Sequence, residues 1–502
     1  MKRVTVLVLL GMSAGAQAHD EPGAEAQAER SRTTAREVLD RAASALGGLP
    51  ALRAIDTVRY RAEGQVWERL QQLTPSSPGE ADAGTHQLHV LLDLRNERML
   101  AELHENAAGM ERNNTTVLSA GSAQSYNHRA RFVLPVALAQ ARQQFASYTR
   151  RLPQLLLRDA LANPDALRYL GREDLAGRAH DVIGYSVSPE EQLSLYVDTT
   201  SHLLSKHTSA IDDPLAGPAA SEFSFVDYAR TGAHLVPRTW ITREAEQVTA
   251  RLEVSVEVAP AVSESSFVGP EGYVHVEPPP PPEARAEQLA DGVFAMRNVA
   301  RADFHSLAVA FRDHILVVEA PWSSAGADRL IARVKEAIPG KPIRYVAITH
   351  HHGDHVGGVR SFIAEGATVI TTPGNRDFIE SVARAPLEDR LAESPRKPDF
   401  LLVRNGRHVL SDGTRTVELI DIGPNPHTRE MLVAYLPKER LMFEADMFLM
   451  PNSPRPLGPA QATTRSFAQR MRELGLEVDR FVATHGRMST ADDLAAAIRG
   501  PQ

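Results

Sequence analysis

Metal-binding side chains crowd into the six positions from His350 to His355, where the chain reads Thr349-His350-His351-His352-Gly353-Asp354-His355. A short apolar run, Tyr345-Val346-Ala347-Ile348, precedes them and reads as a buried strand. His350 and His352 are two apart, so in extended backbone both point to one side, and His351 points away. Gly353 lets the chain turn sharply, which brings Asp354 and His355 to a second position close by. Neutral imidazoles with a carboxylate suit zinc and other borderline divalent metals.

One cluster of this size cannot enclose two ions, and three further candidates stand just past predicted strands. They are His427 in Ile422-Gly423-Pro424-Asn425-Pro426-His427, Asp446 in Leu441-Met442-Phe443-Glu444-Ala445-Asp446, and His485 in Phe481-Val482-Ala483-Thr484-His485. Each alone is an ordinary loop residue. In this order after H-x-H-x-D-H they form a specific set.

The elements around them divide the 502 residues into two parts, as expected for a chain too long for one core. Residues 33–262 read mainly as short alternating strands, preceded by a helix at 34–46. A second helix, at 136–151, is expected to stop at Pro153. Residues 19–32 are polar and alanine-rich and read as a lead-in without structure. The run Pro278-Pro279-Pro280-Pro281-Pro282 within 263–284 reads as a stiff extended spacer. From 285 to 498 strands alternate with helices, including helices at 324–338 and 356–365.

Whole-chain properties set further limits. A net charge of −8 disfavours nucleic acid as a partner. Met1–Ala18 has a basic start, an apolar core and an Ala16-Gln17-Ala18 ending, the pattern of a cleaved signal peptide. The expectation is therefore a periplasmic or secreted protein. Cysteine is absent, so there are no disulfides, no thiolate ligands and no cysteine for a lipid anchor.

With these residues in place, the segment 285–498 resembles the metallo-β-lactamase superfamily. The resemblance implies an α+β fold class, with a C-terminal αβ/βα sandwich carrying a metal site along one edge. It assigns His350, His352 and His427 to a first metal, Asp354, His355 and His485 to a second, and Asp446 to a bridge between them. The ligand set is like that of the glyoxalase II and lactonase branches. It implies two Zn2+, with iron or manganese as alternatives. A hydroxide shared by two divalent ions would then attack an ester, lactone or thioester of a small acyl substrate. Asp354 is expected to orient the water or pass on its proton, which makes it the candidate catalytic residue. Glu319 stands where the family often has Asp and is a candidate second-layer acceptor. His351 is expected to be exposed or in that second layer, and Arg455 is a candidate reader of a substrate carboxylate.

Hydrolysis of β-lactams by an enzyme of the His-only type is the alternative activity. Flavodiiron-type redox chemistry fits poorly, because that scaffold carries Glu at the position of His352 and brings a flavin module. The first part resembles the half-barrel of lipoprotein carriers. That resemblance rests on Leu46-Gly47-Gly48-Leu49-Pro50-Ala51-Leu52, Tyr196-Val197-Asp198, Leu203-Leu204-Ser205-Lys206 and Phe225-Val226-Asp227-Tyr228 with Val236-Pro237. It implies an antiparallel sheet over an apolar cavity, and hence a second alternative, a carrier of a lipid or acyl chain with an accessory metal domain. His86, His89, His104, His128 and His180 in this part are expected to be surface or satisfied core histidines.

Overall fold

The computed structural model describes residues 22–75, 79 and 82–500, and the leader read at Met1–Ala18 lies outside them. Fourteen strands form one sheet in the first part. A meander from Thr57–Val66 to Phe132–Pro135 meets a second meander, Leu167–Leu175 to Gln247–Val258, where Thr57–Val66 pairs antiparallel with Gln247–Val258. A sheet this wide must curl. Its apolar face is covered by helices Pro22–Ala45, Leu49–Arg53, Leu138–Arg150 and Pro153–Ala162. Leu39, Leu52, Leu156 and Leu157 from these helices pack with Tyr60, Leu92, Leu195 and Trp240 from the strands. Tyr60 and Trp240 meet edge to face with ring centres 5.2 Å apart. The groove left beside Leu138–Arg150 is lined by Asn114, Gln140, Gln143, Gln144 and Ser147.

The helix expected at 136–151 ends before Pro153 as expected, at Arg150, and three other local expectations are corrected. The lead-in is helical from Pro22, because Ser31 exchanges hydrogen bonds with the backbone of Tyr169 and ties that helix to the sheet. Pro153 begins the helix Pro153–Ala162; at the first helical position its missing N–H costs nothing. The spacer is partly built into the sheet, since Val274–His275 pairs parallel with Phe132–Pro135, while Pro278–Pro282 stays extended and exposed. The helix expected at 356–365 is split at Gly357-Gly358 into Gly353–Val356 and Val359–Glu365.

In the second part, two sheets pack face to face. Seven strands run from Arg285–Ala290 to Phe400–Leu402, and six run from Arg407–Ser411 to Ser489–Thr490. Leu307, Leu316, Leu432, Phe443 and Val482 form the layer between them. Helices Ser324–Ala337 and Val359–Glu365 cover the outer face of the first sheet, and Ala462–Leu474 with Ala491–Arg499 covers that of the second. The first of these shows how the sequence specifies the layer. Ser323 caps it by accepting from the Gly326 N–H, and Ala327, Leu330, Ile331 and Val334 recur at helical spacing on its buried side. The four layers make the αβ/βα sandwich.

Parallel pairing decides where chemistry can sit. Ile315–Val318, Ile343–Ala347 and Thr368–Thr371 run parallel in one sheet, and Leu441–Glu444 and Arg480–Ala483 run parallel in the other. Parallel strands deliver their C-terminal ends to one edge, where loops are free to carry functional groups.

Candidate metal centre

Glu319, His350, Asp446 and His485 each follow such a strand end by one to three residues. His427 comes from the loop between Thr416–Asp421 and Leu432–Leu436. Asp354 and His355 lie on the short helix Gly353–Val356. The chain bends sharply at two of these positions: Glu319 has φ 84° and Asp446 has φ 59°, conformations that L-residues adopt rarely and that cluster at functional sites.

The seven predicted ligands come together as two groups. His350, His352, His427 and Asp446 form one, and Asp354, His355, Asp446 and His485 form the other. Within each group the ligand atoms lie within 4.8 Å of one another, and Asp446 belongs to both. Its Oδ2 is 2.8 Å from His355 Nε2, 3.2 Å from His427 Nε2 and 3.5 Å from His350 Nε2, while Oδ1 is 3.6 Å from His485 Nε2. Asp354 Oδ2 lies 3.3 Å from His355 Nε2 and 3.2 Å from His485 Nε2.

Whether these residues fit metal ions can be tested on their unmet hydrogen-bonding capacity. His350 Nε2, His352 Nδ1 and His355 Nε2 are buried without a hydrogen-bond partner. Three orphaned ring nitrogens converging on shared carboxylates would be costly without a cation to receive their lone pairs. In four of the five ligand histidines the other ring nitrogen is held from behind. His350 Nδ1 is 3.0 Å from Thr349 Oγ1, which donates to Glu319 Oε1 at 2.6 Å. His485 Nδ1 donates to the Asp303 carbonyl at 2.7 Å, His352 Nε2 to that of Gln72 at 2.9 Å, and His427 Nδ1 to that of Ala108 at 2.9 Å. Such acceptors fix the tautomer that leaves the other nitrogen free to ligate. The residues fit a metal pair.

Electrostatics point the same way. Burial, with the neighbouring imidazoles, holds His350 and His352 well below the usual histidine range, so both are neutral. Burial opposes ionisation of Asp354 and Asp446, but His355 and the other imidazoles outweigh it and keep both well below the usual carboxylate range. Burial also opposes a charge on His355, yet Asp354, Asp446 and Glu319 together raise it well above its ordinary value. His350 and His352 are thus neutral beside ionised carboxylates, as ligation requires, whereas His355 and His485, the latter raised to about 9 by Asp354 and Asp446 against its burial, would each give up a proton on binding a metal.

Glu319, fully buried, takes the acceptor role expected of it through the Thr349 hydroxyl, and its Oε1 lies 3.3 Å from His355 Nδ1 at ion-pair distance. Of the two places expected for His351, the structure gives the second: it is buried beside His352, with ring centres 4.8 Å apart, packs edge-on against Phe378 at 5.9 Å, and joins neither ligand group. The guanidinium of Arg455 lies 5.0 Å from the ring centre of Phe132 in a cavity between the two parts. His86 pairs with Glu105, His89 with Glu63, His128 with Tyr273 and His180 with Ser205, which accounts for four of the five first-part histidines. His104 lies 3.5 Å from Glu111.

The first part also reaches the site, through contacts for which the sequence gives no cue. Gln71 Nε2 donates to Asp354 Oδ1 at 2.8 Å, in addition to the Gln72 and Ala108 carbonyl contacts. Two other supporting residues also escape a ligand search. Phe304 packs against His355 and His485 with ring centres 5.6 and 5.2 Å away. His305, 2% exposed, donates from Nε2 to the Gly486 carbonyl at 2.8 Å and accepts at Nδ1 from Asn298 N–H.

His305 carries a pH prediction. Burial, with Arg297 nearby, pushes it down to about 4. Below the unfolded value near 6.5, the unfolded chain takes up a proton that folded His305 refuses. This contribution to stability is thus full above about pH 6.5 and is lost as pH falls toward 4, by on the order of 3 kcal/mol. The variant His305→Gln is expected to be less stable than the parent at pH 7 and to converge with it by pH 4.5. Urea midpoints for both proteins across this range check it; a constant gap would refute it.

Residues 314–485 match the model of the metallo-beta-lactamase superfamily. The second domain belongs to that superfamily and is the domain of a metal-dependent hydrolase. Among solved structures, DIM-1 metallo-beta-lactamase exposed to ceftazidime is 19% identical, covering 44% of this chain and 97% of its own, with a TM-score of 0.34. A metallo-beta-lactamase from Pontibacter korlensis is 17% identical over 43% and 98%, at 0.34. The mono-zinc form of FIM-1 from Pseudomonas aeruginosa is 22% identical over 44% and 95%, at 0.32. Scores of this size carry no argument about substrate.

Proposed function

We propose that the second domain is a dinuclear zinc hydrolase that cleaves an ester, lactone or thioester bond in a small acyl substrate, and that it works outside the cytoplasm after export. The observation that supports the reading is the sharing of Asp446 between two compact ligand groups, an arrangement that would hold two cations side by side. Such a pair would supply Lewis acidity to an acyl oxygen and lower the pKa of a water held between the ions.

The chain's own residues then divide the work. Asp446, with Oδ2 facing His355 and Oδ1 facing His485, would be a ligand shared by both groups. Asp354, with Oδ1 engaged by Gln71, turns Oδ2 toward the site, where it can take the proton of the attacking water. Phe304 walls the side of His355 and His485 against bulk water. Glu319 and Thr349 keep His355 and His350 in register.

The test is elemental analysis of purified protein together with rates on an acyl-homoserine lactone, a glutathione thioester and nitrocefin. Two equivalents of zinc and turnover of the lactone or thioester are expected. Turnover of nitrocefin alone would replace this reading with lactam hydrolysis. Iron or manganese in place of zinc would overturn the assignment of the metal.

A further inference from the structure

The backing of the ligands is divided between the two domains, and the first domain reaches both ligand groups. His350 and His485 are backed from within the second domain, by Thr349 and the Asp303 carbonyl. His352 and His427, both of the first group, are backed by carbonyls of Gln72 and Ala108 from the first domain. Asp354, of the second group, is held at Oδ1 by the Gln71 side chain, again from the first domain.

The segments that make these contacts are anchored on both sides. Trp67 N–H extends the sheet by donating to the Thr249 carbonyl at 2.9 Å. Arg69 forms a buried ion pair with Asp213, whose Oδ1 also accepts from the backbone of Leu215 and Ala216. Leu215 is itself packed into the second domain's core. The Leu70 carbonyl accepts from Gly353 N–H at 3.0 Å, and the Leu73 carbonyl from Arg429 N–H at 2.9 Å. These bonds grip the backbone on either side of the ligand segments.

Ala108-Gly109 is the two-residue tip of the hairpin between Arg98–Ala107 and Met110–Ser119. Both tip residues have positive φ, 50° and 76°, as a turn that matches strand twist requires. A Cβ on Gly109 would fall 2.8 Å from the Pro426 carbonyl oxygen, so the tip sits backbone to backbone on the residue before His427.

We infer that the metal centre is completed across the domain boundary, with Gln71 as a positioning residue for the second metal position and the 108–109 hairpin tip as the positioning element for the first. The inference rests on the dinuclear reading above. Through these contacts the first domain acts as a structural part of the hydrolase, because it fixes two ligand tautomers and one carboxylate orientation. Contacts of this kind are commonly worth about 10–100-fold in metal affinity or activity.

The experiment uses the full chain and three variants. Gln71→Ala removes the amide at Asp354. Gly109→Val pushes the hairpin tip off Pro426. Gly121→Val is the control: Ala120-Gly121 is the tip of the next hairpin, with φ 50° and 73°, and a Cβ on Gly121 meets nothing within 4 Å. It therefore carries the same turn strain without a domain contact. Stepwise Zn2+ affinities come from competition with a chromophoric chelator, site geometry from the visible spectrum of the Co2+-loaded protein, and folding from circular dichroism.

Gln71→Ala is expected to weaken the binding of one ion by about 10–100-fold and to leave the other at the parent value. Gly109→Val is expected to weaken the other ion and to alter a different part of the Co2+ spectrum. Gly121→Val should match the parent. Parent-like affinities in folded Gln71→Ala and Gly109→Val overturn the inference, and so does an equal loss in Gly109→Val and Gly121→Val. An equal loss of both ions in folded Gln71→Ala overturns the assignment of Gln71 to one position. A parent protein that binds fewer than two ions would instead refute the dinuclear reading.

Discussion

Replacing Asp446 by Asn is expected to remove one bound metal ion and to lower turnover on the order of a thousandfold, equivalent to about 4 kcal/mol of barrier. The substitution keeps the shape of the side chain and takes away only its charge. That charge is shared, since the carboxylate faces His350, His355 and His427 through one oxygen and His485 through the other. An amide presents its NH2 group to some of these nitrogens, so it cannot serve two cations at once. The fold should survive, because Asn tolerates the left-handed backbone at φ 59° better than most residues. Metal content and circular dichroism separate loss of the site from loss of the fold. A variant that keeps two ions and ordinary turnover would remove Asp446 from the shared position.

The second large effect is expected at Asp354. Asp354→Asn should lower kcat by about 100- to 1,000-fold, even under metal-saturating conditions. Asp354 is nine-tenths buried and ionised, with Oδ1 bound to Gln71 and Oδ2 facing His355 and His485. An amide can still lie there, but it cannot accept a proton. A change in kcat larger than the change in metal affinity would distinguish proton transfer from simple ligand loss. Near-normal activity in the fully metallated variant would refute the role. Because His350, His352, His427 and Asp446 are untouched, the first ion should remain bound.

The ligand pattern was legible in the chain for a local reason. Four of the seven ligands lie within six residues, and over that distance backbone geometry alone decides which side chains share a side. His427, Asp446 and His485 could be placed because each follows an apolar run short enough to be a buried strand. The alternation of such runs with amphipathic helices, as in 324–337, was legible too, but the αβ/βα sandwich itself came from the resemblance to the metallo-β-lactamase superfamily. Less local features were harder to read. Residues 22–32 look too polar for a helix until Ser31 is seen bonded to Tyr169 on a distant strand. The place of Val274–His275 at the sheet edge depends on a partner some 140 residues earlier.

By itself the sequence determined which side chains can bind metal and which strand ends present them, because both depend on residue type and short-range spacing. The tertiary structure decided what holds those side chains in place: the burial of His351, the turn of Glu319 toward His355, and above all the reach of the first domain into the site. Two of that domain's three contacts with ligands are made by backbone carbonyls, those of Gln72 and Ala108. Every residue type carries the same carbonyl, so no choice of amino acid marks such a contact, and only the docking of one domain on the other creates it.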